Sequence, residues 1–242
     1  MKLSVVIPVC NEADNVAPLA LEIQAALAAS GPFEIIFVDD GSTDTTVATV
    51  QATRSRVPEI RLLRHSRQCG QSSAVHTGVR AAGAEWIVTL DGDGQNDPAD
   101  IPALLNALSA SEREAPGKLK LVMGNRTTRK DTWVRRLSSR VANGVRGRML
   151  NDGTPDTGCG IKLFHRATFL ELPRFNHMHR FLPALFQRAG SQVISVPVHH
   201  RPRTRGVSKY GVRNRLFVGI TDLFGVMWLI RRKPARVDVT ES

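Results

Sequence analysis

The stretch Asp91-Gly92-Asp93-Gly94-Gln95 holds two carboxylates and an amide at alternate positions, directly after the apolar run Ile87-Val88-Thr89-Leu90. Strands covered on both faces read as continuous apolar runs, and open α/β sheets bind ligands where such strands end. Side chains two positions apart on an extended chain point the same way, and glycines let the backbone come close to what the carboxylates hold. A Mg²⁺ or Mn²⁺ ion takes one or two protein carboxylates and fills its remaining positions with water and phosphate oxygens, which suits this spacing. Asp and Gly are also turn formers, so the pattern alone is as compatible with a loop as with a metal site.

The elements that must carry these residues repeat. Leu3 to Val9 is β-branched and apolar, and it ends in Cys10-Asn11-Glu12; apolar residues at helical spacing follow from Asn15 to Ala29. A second strand, Phe33 to Val38, ends in Asp39 and Asp40 and passes through Gly41-Ser42-Thr43-Asp44 into a helix to about Arg56. The pattern continues with a strand at Ile60 to Leu63, a helix at Ser72 to Ala82, a strand at Trp86 to Leu90 and a helix at Pro98 to Ala110. Alternation at this length predicts an α/β chain with a largely parallel, doubly wound sheet. Beyond it come a polar connector (111–118), strands at Leu119 to Met123, Ile161 to Phe164 and Gln192 to Val198, a basic helix over 129–148, and a helix from Met178 to Arg188.

The 242 residues, 42% of them hydrophobic, suffice for one full core and an appendage. Cys10, Cys69 and Cys159 lie far apart and show no paired zinc spacing, which favours a reducing cytosol. Met1-Lys2-Leu3 runs straight into a strand, so no secretion is expected. Lysine and arginine total 33 against 22 acidic residues, a formal charge of +11 that calls for an anionic partner surface. Nucleic acid is a poor fit, because aromatics are only 5% and acidic strand ends repel phosphate without a metal. Leu216 to Ile230 is apolar except at Thr221 and Asp222, with Arg213 and Arg215 before it and Arg231, Arg232 and Lys233 after. That is short of the roughly 20 apolar residues a bilayer span needs. It reads as an interfacial amphipathic helix or as an ordinary helix packed on the domain.

Several of these segments coincide with one family. Val6-Ile7-Pro8-Val9-Cys10-Asn11-Glu12, Val38-Asp39-Asp40-Gly41-Ser42-Thr43-Asp44, Asp91-Gly92-Asp93-Gly94-Gln95, Gly124-Asn125-Arg126, Asp156 to Phe164, and Arg203 to Tyr210 follow in the family's order. The chain thus resembles the family 2 glycosyltransferases of the GT-A fold, specifically their dolichol-phosphate mannose synthase-like, polyprenyl-phosphate branch. It departs at Cys10, where the family usually has an aromatic, and at Ile161, where it usually has phenylalanine.

The resemblance implies a Rossmann-like, mostly parallel central sheet with helices on both faces, to which the basic-flanked apolar tail adds C-terminal amphipathic interface helices. It implies a catalytic domain over 1–206, divided into a nucleotide-sugar and metal half (1–110) and an acceptor half (111–206). A membrane-associating tail (207–233) and a flexible end (234–242) follow. Pro8, Asn11, Glu12, Asp39, Asp40 and Asp91 are expected on the nucleotide sugar, with Glu12 on the ribose and Asp40 toward the base. Asp91, Asp93 and Gln95 are expected on Mg²⁺ or Mn²⁺. Arg126, Arg203 and Lys209, with Arg129 and Ser138 behind them, are expected to gather the acceptor phosphate and the diphosphate.

A polyprenyl monophosphate is already anionic near neutral pH, since a phosphate's second pKa is about 6, so it needs no strong base. Asp156 would then orient an arginine or the acceptor loop. A saccharide hydroxyl would instead need Asp156 as base. The leading expectation is inverting transfer of a hexose from GDP-mannose or a UDP-sugar to polyprenyl phosphate, by an enzyme peripheral on the cytoplasmic face of the membrane. Its expected partners are an anionic membrane surface and an integral-membrane protein, and not nucleic acid. No metal-spaced set is legible among the seven histidines.

Overall fold

A computed structural model describes residues 2–126, 147, 149–150, 152–202 and 212–232. Seven strands form one sheet in the order β3-β2-β1-β4-β6-β5-β7. In chain order they are β1 (Leu3–Val9), β2 (Phe33–Asp39), β3 (Ile60–Arg64), β4 (Trp86–Thr89), β5 (Leu119–Arg126), β6 (Lys162–His165) and β7 (Gln192–Val198). β1 pairs in parallel with β2 and β4, and β2 with β3, so this half is wound outward from β1. β6 runs antiparallel to both β4 and β5, while β5 and β7 are parallel. The expected mostly parallel sheet is present, with one reversed strand joining its halves.

The helices are α1 (Ala13–Leu27), α2 (Thr46–Thr53), α3 (Gln71–Ala81), α4 (Ile101–Glu114), α5 (Arg166–Leu170), α6 (Leu182–Arg188) and α7 (Val212–Arg231). One face of the sheet packs Val5, Ile7, Ile35, Phe37 and Val88 against Val16, Leu19 and Ile23 of α1 and Leu104 and Leu108 of α4. The other packs Val6, Ile36, Val38 and Ile87 against Val75 and Val79 of α3, Phe169 of α5 and Leu185 and Phe186 of α6. Central strands buried on both faces explain the unbroken apolar runs of the sequence.

Some boundaries differ from the sequence expectation, each for a local reason. α4 continues to Glu114, one more helical turn into the stretch expected as connector. Met178 to Arg188 is not one helix: a 3-10 turn at Met178–Arg180 precedes α6, where Pro183 occupies the first turn and cannot donate to a preceding turn. β4 stops at Thr89, and Asp91 to Gln95 form a turn rather than an extended strand end. The basic stretch over 129–148 lies outside the described residues apart from residue 147, and the segment 203–211 lies outside them entirely.

Candidate active site

Parallel pairing brings the carboxyl ends of β2, β1 and β4 side by side. The Asp40 N–H donates to the Val9 carbonyl (2.8 Å), and Gly92 is pressed onto β1, where a Cβ would stand 2.7 Å from Val9 Cγ1 and 2.9 Å from the Pro8 carbonyl. Pro8, Asn11, Glu12, Asp39, Asp40 and the Asp91–Gln95 turn therefore share one rim. Asn11 takes a left-handed backbone (φ 53°), and its side-chain oxygen accepts from the N–H groups of Thr43 (2.7 Å) and Asp44 (3.3 Å). The Glu12 carboxylate accepts from Asn15 (2.7 Å).

Asp39 and Asp40 are both buried. Asp39 accepts from the Ser42 N–H (3.3 Å), whereas Asp40 accepts from the N–H groups of Cys69 and Gly70 (2.8 Å each) and faces His65 Nδ1 (2.7 Å). The Asp40 carboxylate thus holds the loop before α3, an engagement that its place in a strand-end motif does not reveal. Asp44 accepts from the Thr46 N–H (2.9 Å) at the start of α2.

Asp91 to Gln95 form the turn that the sequence offers as the alternative to a metal site. Asp93 Oδ1 accepts from the Gln95 N–H (3.2 Å), which closes the turn, and the Asp91 N–H donates to Asn96 Oδ1 (2.9 Å). Asn96 is 2% exposed. Gln71 donates to Asp91 Oδ1 (2.8 Å) from the first turn of α3. Behind the carboxylate lies Gly160, where a Cβ would fall 2.2 Å from Asp91 Oδ2 and 2.4 Å from Asn96 Oδ1. Only glycine allows this backbone to rest against the carboxylate.

The neighbouring strands β5 and β6 supply cations. Arg126, at the end of β5, grips Asp156 through Nε–Oδ2 (2.6 Å) and Nη2–Oδ1 (2.8 Å), a two-pronged contact with both side chains nearly covered. Burial opposes the charge of Arg126, but the bond to Asp156 and the fields of Asp156 and Asp91 outweigh it and hold the guanidinium above its usual pKa. Lys162, buried on β6, donates to the Cys159 carbonyl. Burial lowers the Lys162 pKa, against the attraction of Asp91. Asp91 is partly exposed at the rim, but Gly160 and Asn96 crowd its carboxyl group and desolvate it. That desolvation, with repulsion from Asp93, raises its pKa against the pull of Lys162 and Arg126. A buried carboxyl pushed toward its neutral form is a group that a divalent cation would return to the ionised state. Oxygen donors on one turn fit a hard cation such as Mg²⁺ or Mn²⁺.

Sequence reasoning did not single out Gln71, Asn96, Gly160 or Lys162. Nor did it anticipate the segment leading to Arg203: the Arg201 N–H donates to the Gln95 carbonyl (3.0 Å), Asn96 bridges His200, and the Arg201 side chain reaches Asp97 (2.7 Å) and Glu22 (2.7 Å). Arg203, Lys209, Arg129 and Ser138 lie outside the described residues.

The fold and this site define a GT-A glycosyltransferase. Solved structures of glucosyl-3-phosphoglycerate synthase from Mycobacterium tuberculosis superpose with a TM-score of 0.68 at 19% identity, covering 97% of this chain and 81% of theirs, a likeness of fold. One is a complex with Mn²⁺, uridine diphosphate and phosphoglyceric acid. The chain belongs to glycosyl transferase family 2, whose model matches residues 4–172.

Among curated relatives, a dodecaprenyl-phosphate galacturonate synthase of Rhizobium johnstonii is 36% identical over 96% of this chain and 68% of its own length. An undecaprenyl-phosphate 4-deoxy-4-formamido-L-arabinose transferase of Edwardsiella ictaluri is 34% identical over 87% of this chain and 63% of its own. This chain therefore spans about two thirds of the relatives' length.

Proposed function

We propose that the enzyme transfers a sugar from a nucleotide sugar to a polyprenyl phosphate, with inversion, at the cytoplasmic face of a membrane. The observation that carries this reading is the gathering of Arg126 and Lys162 within electrostatic reach of the Asp91 carboxylate, which Gln71 and Gly160 hold in place. A divalent cation held by Asp91, Asp93 and Gln95 would offset the charge developing on the departing nucleotide diphosphate. Pro8, Glu12, Asp39 and Asp40 line the rim assigned to the nucleotide. Arg126 spends Nε and Nη2 on Asp156, and Nη1 is not used by that contact, so the guanidinium can be held by the protein while it meets a phosphate oxygen. Arg203 and Lys209 complete the phosphate contacts in this reading, reached along a segment pinned to Gln95.

An acceptor phosphate attacks the anomeric carbon as an anion, so no side chain has to take a proton from it. Both Asp156 oxygens are committed to Arg126, which favours an orienting role over that of a base for a saccharide hydroxyl. The names of the relatives support a polyprenyl-phosphate acceptor, and the sugars they print are a galacturonate and a 4-deoxy-4-formamido-L-arabinose.

No helix among the described residues is long and apolar enough to cross a membrane. On α7, Val226 is buried, whereas Ile220, Phe224 and Trp228 stand 46%, 58% and 60% exposed at four-residue spacing. One apolar stripe outward, with Arg231 and Arg232 at its end, suits a helix lying in an anionic interface.

The test is a donor screen. Each of GDP-mannose, UDP-glucose, UDP-galacturonate and a UDP-linked formamido-arabinose is offered with a short polyprenyl phosphate and Mg²⁺ or Mn²⁺. Lipid-soluble, mild-acid-labile sugar phosphate is expected from one of them, and its loss in Asp93→Ala with an unchanged melt. Product only in the aqueous phase, with soluble saccharides as acceptors, overturns the proposal.

A further inference from the structure

Three segments distant in sequence meet beneath the nucleotide end of the rim. Asp40 ends β2, His65 follows β3, and Cys69 lies in the loop before α3; a carboxylate oxygen, a ring nitrogen and the thiol sulfur lie within 4.8 Å of one another. The arrangement is built. The Cys69 and Gly70 N–H groups both donate to Asp40 at 2.8 Å, which fixes the loop that carries the thiol. Gly41 has φ +72°, and a Cβ there would stand 2.6 Å from the Gln68 nitrogen, so the same loop is packed on the turn after Asp40. His65 places Nδ1 2.7 Å from Asp40 Oδ1, and Nε2 2.9 Å from Thr77 Oγ1 on α3. Metal-bound histidines characteristically donate the N–H of their other nitrogen to such a partner, which sets the ring's orientation. Asp40 and His65 are largely covered, whereas Cys69 opens to solvent.

We propose that Asp40, His65 and Cys69 form a site for a thiophilic divalent ion of the Zn²⁺ class, and that its occupancy excludes the nucleotide sugar. Imidazole, thiolate and carboxylate suit Zn²⁺, whose bonds of about 2.0–2.3 Å place tetrahedral ligands about 3.3–3.8 Å apart. His65 and Asp40 must separate by roughly half an ångström for this geometry, and Cys69 must draw in by up to about 1 Å. The exposed side leaves a fourth position for water. On loading, the thiol gives its proton to the buffer. The imidazole stays neutral, with its hydrogen on Nε2 toward Thr77. The binding claim stands on this geometry alone; the exclusion rests on the proposed donor role of Asp40.

Co²⁺ titration of the full chain, followed by absorption, separates these claims. A thiolate-to-Co²⁺ band is expected, displaced by Zn²⁺, retained in Asp93→Ala and Cys10→Ser, and lost in Cys69→Ser and His65→Gln. Cys69 is exposed, so its serine variant keeps the fold even if His65→Gln does not. A band that survives Cys69→Ser, or no band up to millimolar Co²⁺, overturns the site. With the site loaded, nucleotide-sugar affinity measured by calorimetry is expected to fall at least about tenfold, within the usual range of coupled sites, and to recover in Cys69→Ser. Undiminished affinity with the band present overturns the exclusion.

Discussion

Replacing Gly160 by alanine should disable the site through one methyl group. The new Cβ would stand 2.2 Å from Asp91 Oδ2, 2.5 Å from Asp91 Cγ and 2.4 Å from Asn96 Oδ1. Ordinary carbon–oxygen contacts lie near 3.2 Å or beyond, so the carboxylate or the backbone of residue 160 must retreat by about 1 Å. The backbone is poorly placed to move, because the Gly160 carbonyl accepts from Thr89 Oγ1 (3.1 Å) and the next strand residue, Lys162, is locked between β4 and β5. Asp91 is freer, held by one bond to Gln71 at the rim. The strain therefore falls on the Asp91 carboxylate, the group proposed to hold the metal.

Overpacking of this kind costs about 1–3 kcal/mol. For a chain of this size that is a drop of roughly 2–12 °C in Tm. A displacement of about 1 Å in a positioned group costs on the order of 100-fold in rate. Thermal melts, Mn²⁺ affinity by electron paramagnetic resonance and turnover of the donor found in the screen give the three readouts. A folded Gly160→Ala enzyme with wild-type turnover and unchanged Mn²⁺ affinity would refute the assignment of Asp91 as a ligand in this position.

Asp156→Asn should lower kcat/KM by about 10- to 100-fold, the 1.5–3 kcal/mol of a hydrogen bond to a charged partner, while leaving the shape of the pH–rate profile unchanged; loss of the alkaline plateau would instead identify Asp156 as a base. Burial, with repulsion from Lys162 and Arg180, pushes His179 down to about 3 from 6.5, so the unfolded chain binds a proton between those pH values that the native chain refuses. Its contribution to stability is therefore complete above pH 6.5 and is lost on acidification; between pH 8 and pH 5 denaturation of the wild type should lose about 2 kcal/mol more than His179→Gln, and parallel curves would refute it. Phe224→Ser/Trp228→Ser should keep the wild-type melt and lose co-sedimentation with vesicles containing anionic lipid, whereas undiminished sedimentation would remove α7 from the membrane contact.

The motifs legible in the sequence are those in which local chain order and chemistry coincide. Apolar runs ending in carboxylates mark β1, β2 and β4 because a strand covered on both faces admits polar residues only at its end. The same logic misjudges Asp91 and Asp93, which stand on a turn closed by Gln95 rather than on an extended strand. Lys162 was hidden for a related reason. In sequence it is one of 33 basic residues, and although it falls inside the stretch Asp156 to Phe164 that resembles the family, nothing there marks it as the one that β6 buries between β4 and β5.

What remained illegible is set by topology. Asp156 precedes β6 and Arg126 ends β5, and the antiparallel pairing of those strands is what brings their ends together. Gly160 meets Asp91 because β6 lies beside β4, an adjacency that reverses direction within an otherwise parallel pattern. Asp40 reaches Cys69 only because β2 stands between β1 and β3, with α3 returning to the sheet across them. Each of these contacts places a group chosen for charge against a group chosen for its position in the sheet. Removing the second kind, as Gly160→Ala does, should cost as much as removing the first.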